Sequence, residues 1–295
     1  MSKVLITGAN GFLGSYLHKA FPAEETMTLG LSGCDYNLDL TKTVPTLSQT
    51  FTTVVHAAGL AHIIPTTAEQ CCLFNNVNVN GTINLLRGLG KLSPLPEQLV
   101  FISTVAVYGV EKGECIDENS PLKGDTPYAL SKIGAERVLQ KWGEEHNVNI
   151  LILRLPLLAG KNPPGNLGAM IRAIKKGYYF RIGDGSARRS IVLADDVAAF
   201  IASGVKASGI YNLTDGYNPS VKELDTLIAR QSGKRIKIIP YSFIKTVSMV
   251  GDLIPKFPIN SLRLSKLTST LTFSDRKARE ELGWNSIPVI EKMIV

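Results

Sequence analysis

Cysteine is scarce in this sequence, and its spacing excludes the usual structural uses of the residue. The four cysteines form no Cys-x-x-Cys pair and have no histidine at the spacing of metal ligands: Cys34, Cys71, Cys72 and Cys115. The adjacent pair among them is poorly placed for a structural disulfide. We therefore expect a reduced, cytoplasmic protein with no metal site.

Long apolar runs and an export signal are also missing. No apolar run approaches the roughly 18 residues that a helix needs to cross a bilayer. The chain opens with Met-Ser-Lys-Val-Leu-Ile-Thr-Gly, without a basic segment and an apolar signal core. We therefore expect neither a membrane span nor secretion.

Charge of one sign is not gathered into long blocks. The 295 residues carry a net charge of +7, and the basic residues are scattered apart from short pairs such as Lys175-Lys176 and Arg188-Arg189. This pattern favours a solvated surface with a local site for an anionic small molecule, and it speaks against nucleic acid as a partner. Hydrophobic residues make up 44% of the chain, which excludes a disordered protein.

Short β-branched runs alternate with longer helical patterns in the first half of the chain, as a parallel sheet with crossover helices requires. The predicted strands are Lys3–Thr7, Thr26–Leu31, Thr53–His56, Leu99–Ser103 and Asn149–Arg154, with helices that begin near Phe12, Ala68 and Thr126. This order predicts an α/β fold with a doubly wound parallel sheet of the Rossmann type. Its ligand crevice lies beyond the carboxyl ends of the strands.

The pattern weakens in the second half. It predicts a loop over Leu157–Gly168, a helix from about Leu167 to Lys176, and a return of strand and helix over Ile191–Ser203. We expect residues 1–157 to form a dinucleotide-binding domain, with a return segment at about 187–212. Residues 158–186 and 213–295 would form a smaller C-terminal α/β lobe that binds substrate.

A glycine-rich turn, Thr7-Gly8-Ala9-Asn10-Gly11-Phe12-Leu13-Gly14, joins the first predicted strand to the first helix. Three glycines allow a tight turn, close approach of the backbone to a pyrophosphate, and close packing of helix on strand. The amide groups at the helix N-terminus then face the phosphates. The residues predicted to bind a dinucleotide here are Gly8, Asn10, Gly11, Phe12, Leu13 and Gly14.

Tyr128 and Lys132 stand four residues apart in a predicted helix, so both side chains lie on one face. The ammonium group favours the phenolate and is expected to lower the pKa of Tyr128 from about 10, as a general acid/base requires. Such pairs also occur by chance on many helices. Here the segment Ser103-Thr104-Val105-Ala106-Val107-Tyr108-Gly109 supports the pair, because it places a second hydroxyl at the end of a predicted strand.

Together these segments resemble the extended short-chain dehydrogenase/reductases, the NAD-dependent epimerase/dehydratase family, in its nucleotide-sugar branch. The glycine turn has the family's form TGxxGxxG, and further motifs follow in the family's order. They are Asp39-Leu40, Val55-His56-Ala57-Ala58-Gly59, Asn78-Val79-Asn80-Gly81-Thr82 and Lys277-Ala278-Arg279-Glu280-Glu281-Leu282-Gly283-Trp284. The resemblance covers nearly the whole chain and is strongest from 1 to 200.

The resemblance implies a nicotinamide dinucleotide cofactor. Asp39 and Leu40 would meet its adenine, and the segment Ala57, Ala58 and Gly59 would lie along its diphosphate and ribose. The second strand is followed by Gly30-Leu31-Ser32-Gly33, which supplies neither an acid for the ribose 2′-hydroxyl nor an arginine for a 2′-phosphate. Asp35 lies beyond the expected position. The sequence thus slightly favours NAD and leaves NADP open.

The catalytic residues implied by the resemblance are Thr104, Tyr128 and Lys132, of which Tyr128 and Lys132 also bind the cofactor. Thr104 falls on the residue that hydrogen-bonds the reacting oxygen. The implied substrate is a nucleotide-linked sugar, in the first place a UDP-sugar, held by the side chains of Asn166, Arg189, Arg263 and His62. A guanidinium suits the paired oxygens of a diphosphate, whereas Arg263 and His62 have a plain surface role as the alternative.

Several departures from family patterns bear on the reaction. Val105-Ala106 stands where 4,6-dehydratases carry an Asp-Glu pair, so a dehydratase is not expected. Leu157 replaces the asparagine of UDP-galactose 4-epimerases, and Ala58-Gly59-Leu60-Ala61-His62 resembles reductases of bacterial polysaccharide biosynthesis. A sugar C4 epimerase and a 4-keto-sugar reductase both stay open. A non-catalytic NAD(P)-binding regulatory or assembly protein is the alternative from another class.

The resemblance also implies a homodimer, formed through the helix after Asn78 and the tyrosine helix. Val138, Leu139 and Trp142 give the tyrosine helix an apolar stripe, which would suit either this interface or the core.

Overall fold

The protein is described here by a computed structural model over residues 3–253 and 260–294. Its main sheet has seven parallel strands, numbered in chain order. From one edge to the other they are β3 (Tyr36–Asn37), β2 (Thr26–Gly30), β1 (Val4–Thr7), β4 (Thr53–His56), β5 (Gln98–Thr104), β7 (Asn149–Leu155) and β11 (Gly209–Asn212). The order reverses direction between β1 and β4, which confirms the predicted doubly wound sheet and places the ligand crevice at this switch point.

Helices cover both faces of the sheet, because alternate strand residues point to opposite sides. The helices are α1 (Phe12–Ala20), α2 (Ala68–Asn75), α3 (Gly81–Leu89), α4 (Pro127–His146), α5 (Gly165–Lys176), α6 (Ala194–Ala202), α7 (Val221–Gln231), α8 (Tyr241–Leu253), α9 (Ser261–Thr268), α10 (Arg276–Leu282) and α11 (Val289–Lys292). Ile6 of β1 packs with α1 and α6 on one face, and Leu5 packs with α3 and α4 on the other. In the described ranges, no helix has the length and apolarity to cross a membrane.

The second half adds three small parallel sheets of two strands each. They pair β6 (Gly113–Ile116) with β13 (Leu271–Phe273), β8 (Leu157–Ala159) with β10 (Ile191–Leu193), and β9 (Phe180–Ile182) with β12 (Lys237–Ile239). The predicted loop over Leu157–Gly168 is therefore wrong at both ends, since it contains β8 and the first turn of α5. The strand depends on pairing with β10, a partner distant in sequence whose contribution no local pattern shows.

Helix α4, which carries Tyr128 and Lys132, begins where the sequence predicted. The Thr126 hydroxyl accepts a hydrogen bond from the amide of Ala129, and Pro127 occupies the first turn. Leu139 and Trp142 lie in the core below the sheet, with Val138 packed against them. The apolar stripe therefore belongs to the core, and the predicted homodimer needs another surface of this helix.

Candidate active site

The glycine turn lies at the switch point, and its glycines are there because the backbone leaves no room. Gly8 has a φ of +73°, and a Cβ on it would come within 2.6 Å of the amide nitrogen of Ala58. A Cβ on Gly14 would stand 1.9 Å from the carbonyl oxygen of Gly8. Helix α1 consequently starts close against the ends of β1 and β4. Its first amides face the crevice as a pyrophosphate site requires.

The other residues of the turn that were predicted to bind the cofactor differ in their burial and in their contacts. Leu13 is buried in the core, so only its backbone faces the crevice. Phe12 is half-buried and packs edge-on against Tyr16, with ring centroids 5.4 Å apart. The Asn10 side-chain amide donates to the carbonyl of Ser32 over 2.7 Å, which ties the turn to the loop after β2.

At the adenine end, Asp39 and Leu40 form a structured corner. The Asp39 carboxylate accepts hydrogen bonds from the amide and hydroxyl of Thr41, which lower its pKa below the usual range. Leu40 is thereby held against the start of α3, in contact with the position that a Cβ on Gly81 would take. This packing would give the predicted adenine site an apolar wall.

The carboxylate of Asp35 is turned away from any ribose site. It accepts hydrogen bonds of 2.8 Å from both the amide and the hydroxyl of Thr28 in β2, and these lower its pKa. It therefore closes the loop after β2. No other acid and no basic side chain occurs between Gly30 and Asn37.

Asn78 organises the centre of the site, although sequence reasoning used it only as part of a motif. Its side-chain oxygen accepts from the amide of Leu60 over 2.7 Å, and its nitrogen donates to the Ser131 hydroxyl over 2.8 Å. It lies in the π-helical turn Asn76–Asn80 between α2 and α3, a local distortion common at functional sites. One side chain thus joins the loop after β4 to helix α4.

Gly59 leaves an open space in the site because it carries no side chain. A Cβ at this position would lie 3.0 Å from the Asn78 side-chain oxygen and 3.5 Å from the Lys132 Nζ. A side chain here would fill the space in front of the lysine. The absence of one leaves a cradle that fits the ribose of a nicotinamide dinucleotide.

Lys132 is almost fully buried, at 6% exposure. Its Nζ donates to the carbonyl of Ile102 over 2.7 Å and lies 4.4 Å from the centre of the Phe101 ring. Burial lowers the pKa of this amine to about 8, against an opposing effect from Glu136. The ammonium therefore sits at the carboxyl end of β5 with little solvent around it.

Tyr128 and Thr104 meet as predicted. The Thr104 hydroxyl lies beside the phenol and acts to lower its pKa, and the Phe74 ring packs edge-on against the phenol at a centroid distance of 6.1 Å. The predicted lowering of the Tyr128 pKa was wrong for the protein without a cofactor. Burial raises the pKa of Tyr128, and the effect of the Thr104 hydroxyl only partly offsets this. The Lys132 amine bonds the Ile102 carbonyl rather than the phenol.

On the substrate side, His62 and Asn166 are brought to neighbouring positions. His62 has a φ of +61°, and its imidazole packs where a Cβ on Gly165 would come within 2.8 Å of Nδ1. Burial lowers the pKa of this imidazole. Asn166 follows Gly165 at the start of α5 and is exposed. The loop after β4 and the N-terminus of α5 thus form one rim of the crevice.

Arg189 is engaged with α9. Its guanidinium donates to the carbonyls of Ser269 and, over 2.7 Å, of Lys266, so it caps the C-terminus of that helix. Burial lowers its pKa. Arg263 is exposed on the same helix. Their predicted contacts with a diphosphate stay predictions, and the Arg189 guanidinium would have to exchange its carbonyl partners for phosphate oxygens.

A buried ion pair behind the site was not predicted. Arg154 on β7 donates to both carboxylate oxygens of Glu136 on α4, over 2.7 and 3.1 Å, and both side chains are 2% exposed. The Tyr108 phenol accepts from Arg154 over 3.1 Å. The only signal in the sequence was the four-residue step from Lys132 to Glu136, which puts the acid on the buried face of α4.

Comparison with known proteins agrees with this geometry. The model of the NAD dependent epimerase/dehydratase family matches residues 4–213. The chain therefore belongs to the NAD-dependent epimerase/dehydratase family. Membership confirms the predicted family, the assignment as an enzyme and a nicotinamide dinucleotide as its cofactor.

Two curated relatives are 4-epimerases. The chain is 26% identical to N-acetyl-alpha-D-glucosaminyl-diphospho-ditrans,octacis-undecaprenol 4-epimerase of Escherichia coli O157:H7, over 93% of this chain and 88% of the relative. It is 26% identical to UDP-glucose 4-epimerase of Vibrio cholerae, over 95% and 90%. The fold is shared with UDP-glucose 4-epimerase of Thermus thermophilus in complex with NAD, at a TM-score of 0.71 and 24% identity over 96% of this chain and 94% of that one.

Proposed function

We propose that the protein is an NAD-dependent 4-epimerase of a diphosphate-linked sugar, in the first place a UDP-sugar. The observation that carries this proposal is the meeting of Thr104, Tyr128 and Lys132 at the carboxyl end of β5, in front of the space left open at Gly59. The 4-epimerases among the relatives support C4 as the reacting carbon. A 4-keto-sugar reductase uses the same residues and is separated from the epimerase by the experiment below.

Each catalytic side chain has a task that its surroundings fit. Tyr128 takes the proton of the sugar C4 hydroxyl and later returns it, and Thr104 holds the same oxygen in place. A nicotinamide, when bound, supplies hydride chemistry at that carbon. Lys132 presents its positive charge behind the reacting groups, where low exposure keeps water from screening it. The positive charge of Lys132 favours the phenolate form of Tyr128, which burial disfavours.

NAD is proposed rather than NADP because of the loop after β2. Between Gly30 and Asn37 there is no arginine or lysine to pair with a 2′-phosphate. Asp35 is held by Thr28. The Asn10 amide bound to the Ser32 carbonyl fixes this loop beside the glycine turn. The ribose would therefore meet uncharged backbone and side-chain groups.

The experiment incubates the purified protein with UDP-, dTDP- and GDP-sugars and analyses the C4 configuration of the products. The cofactor released on denaturation is identified by mass. Epimerisation without added cofactor supports the proposal. Stoichiometric consumption of added NAD(P)H with a keto sugar would assign a reductase instead. A retained cofactor with no turnover on any sugar would favour the regulatory or assembly protein.

The first prediction concerns Tyr128→Phe. This change keeps the ring against Phe74 and removes the phenol oxygen that takes up the proton of the sugar hydroxyl and returns it. We expect a loss of at least about a hundredfold in kcat, the usual contribution of a general acid/base. Cofactor retention should not change. Tyr178→Phe is the matched control, because its side chain is exposed just beyond the C-terminus of α5, about one helix length from the rim of the crevice. Unchanged turnover in Tyr128→Phe would overturn the acid/base assignment.

The substrate contacts, assembly and location remain parts of this proposal. Asn166, Arg189, Arg263 and His62 are proposed to line the path of the diphosphate and the sugar. A homodimer is proposed on the family resemblance, and a cytoplasmic location on the same resemblance and on the four free cysteines. Size-exclusion mass measurement and cell fractionation test these two statements.

A further inference from the structure

Pairing of β9 with β12 brings together two segments that lie far apart in the sequence. The register sets Phe180 opposite Lys237 and Ile182 opposite Ile239. Consequently the C-terminus of α5, the strand β9, the strand β12 and the start of α8 lie side by side. We call residues 172–182 and 232–251 together the basic aromatic surface.

Within these two segments the charge is of one sign, and the exposed acids Asp184 and Asp252 lie just beyond their ends. The two segments contain no acidic residue, and their basic residues are Arg172, Lys175, Lys176, Arg181, Lys234, Arg235, Lys237 and Lys245. Arg181 is buried in an ion pair with Asp225, whereas the other seven are exposed. Basic residues are scattered along a sequence with a net charge of +7, and the fold brings several of them together on this surface.

The same surface carries exposed apolar side chains. Among the described residues, five aromatic side chains are strongly exposed, and four of them lie here: Tyr178, Phe180, Tyr241 and Phe243. The fifth is Tyr217. The surface also exposes three aliphatic or thioether side chains: Ile238, Met249 and Val250. Such a concentration is unusual for a surface that faces only water.

Phe180 and Lys237 share one face of the small sheet, with the Nζ 5.7 Å from the ring centre. Ile238, the next residue of β12, points to the other face and is exposed there. On α8, Ile244 and Ser248 are buried, while Phe243 and Val250, seven residues apart, lie on an exposed side. A helix with this division presents an apolar stripe between polar neighbours.

We propose that the basic aromatic surface docks on an anionic lipid bilayer. Lysines that flank aromatic and aliphatic side chains match both parts of such a bilayer, the acidic headgroups and the upper acyl region. Met249 and Val250 favour lipid over single-stranded RNA, because aliphatic and thioether side chains offer bases no stacking platform. No membrane span is needed.

The surface is connected to the active site by α5. The N-terminus of this helix meets His62 at the rim of the crevice, and its last residues, Lys175 and Lys176, belong to the surface. A helix of 12 residues is about 18 Å long. Docking would therefore hold the crevice about one helix length from the headgroups, within reach of a sugar carried on a membrane lipid. The docking itself does not depend on which carrier the sugar has.

Sedimentation with vesicles tests the proposal on the full-length protein. Vesicles of phosphatidylcholine mixed with phosphatidylglycerol should pellet the wild type, and vesicles of phosphatidylcholine alone should pellet at least about tenfold less. The variants Phe180→Ser/Phe243→Ser and Lys237→Glu/Lys245→Glu should each weaken binding at least about tenfold, because insertion and attraction both contribute. Tyr217→Ser, the exposed aromatic outside the surface, should bind as the wild type does.

Four results would overturn the proposal. They are no binding to phosphatidylglycerol vesicles, equal binding by all variants, preferential binding to poly(U) RNA, and a dimer in solution that Phe180→Ser/Phe243→Ser converts to monomer. Circular dichroism and thermal unfolding show whether the variants fold. If the aromatic pair destabilises the chain, the lysine pair alone decides, since exposed lysines tolerate exchange. Turnover of a water-soluble sugar nucleotide should be unchanged in every variant.

Discussion

At the residue scale, the proposed site contains the charged amine of Lys132, which the fold buries at a cost in stability. Lys132 is 6% exposed, and burial brings its pKa from 10.5 to about 8. The folded protein binds this proton more weakly than the unfolded chain does. Stability therefore rises with pH between about 8 and 10.5, and the cost of the buried charge is present in full below pH 8. A shift of this size corresponds to about 3 kcal/mol.

We expect Lys132→Met to be inactive and more stable than the wild type at pH 7. The gain should be about 1–3 kcal/mol, because the loss of the bond to Ile102 offsets part of the relief. It should shrink as the pH approaches 10. Thermal unfolding at both pH values measures it, with the exposed Lys141→Met on the same helix as control. A variant less stable than the wild type at pH 7 would contradict this view of the lysine.

Sequence reasoning at this scale selected the proposed reacting groups and missed their surroundings. Tyr128, Lys132 and Thr104 were identified because helical spacing and the end of a strand are local properties. The raised pKa of Tyr128 was not, since burial by Phe74 and its neighbours depends on how α2 packs on α4. For the same reason, the helix-capping bonds of Arg189 could not be anticipated.

At the element scale, the buried pair of Glu136 and Arg154 joins α4 to β7. Tyr128 and Lys132, the proposed catalytic side chains of α4, lie within about two turns of Glu136, so the pair fixes the rotation of the helix over the sheet. Two charges at 2% exposure are stable only while each has its partner.

We expect Arg154→Met to lower the free energy of unfolding by about 3–5 kcal/mol, because it leaves the Glu136 carboxylate buried and unpaired. Adding Glu136→Leu should restore at least half of this loss. Denaturant unfolding of both single variants and the double variant gives the coupling energy. The exposed pair of Lys206 and Glu97 serves as the control cycle. Additive losses in the buried pair would show that Glu136 and Arg154 do not act together.

The main elements were predictable from sequence where local pattern and pairing agree. The β-branched run of β4 matched the structure at both ends, because the strand is buried in the centre of the sheet. Strand β8 was missed since its three residues become a strand only beside β10. For the same reason, the sequence did not show that the pairing of β9 with β12 brings basic residues together.

At the scale of the whole molecule, three features meet at one edge of the sheet. The glycine turn opens the crevice, Asn78 ties the loop after β4 to α4, and His62 with the start of α5 forms the rim. Family membership fixes the cofactor class. In the proposed reaction at a sugar C4, one hydrogen leaves and returns within the site, and the low exposure of Lys132 suits such a return because solvent has little access to this amine.

The fate of the C4 hydrogen tests this account most directly. A sugar nucleotide that the enzyme accepts is prepared with deuterium at C4 and converted in ordinary water without added cofactor. We predict that the C4 epimer keeps the deuterium, as seen by mass spectrometry and NMR, while Tyr128→Phe forms the epimer at least about a hundredfold more slowly. Epimer that has lost the deuterium to solvent, or epimerisation at the wild-type rate in Tyr128→Phe, would contradict the account.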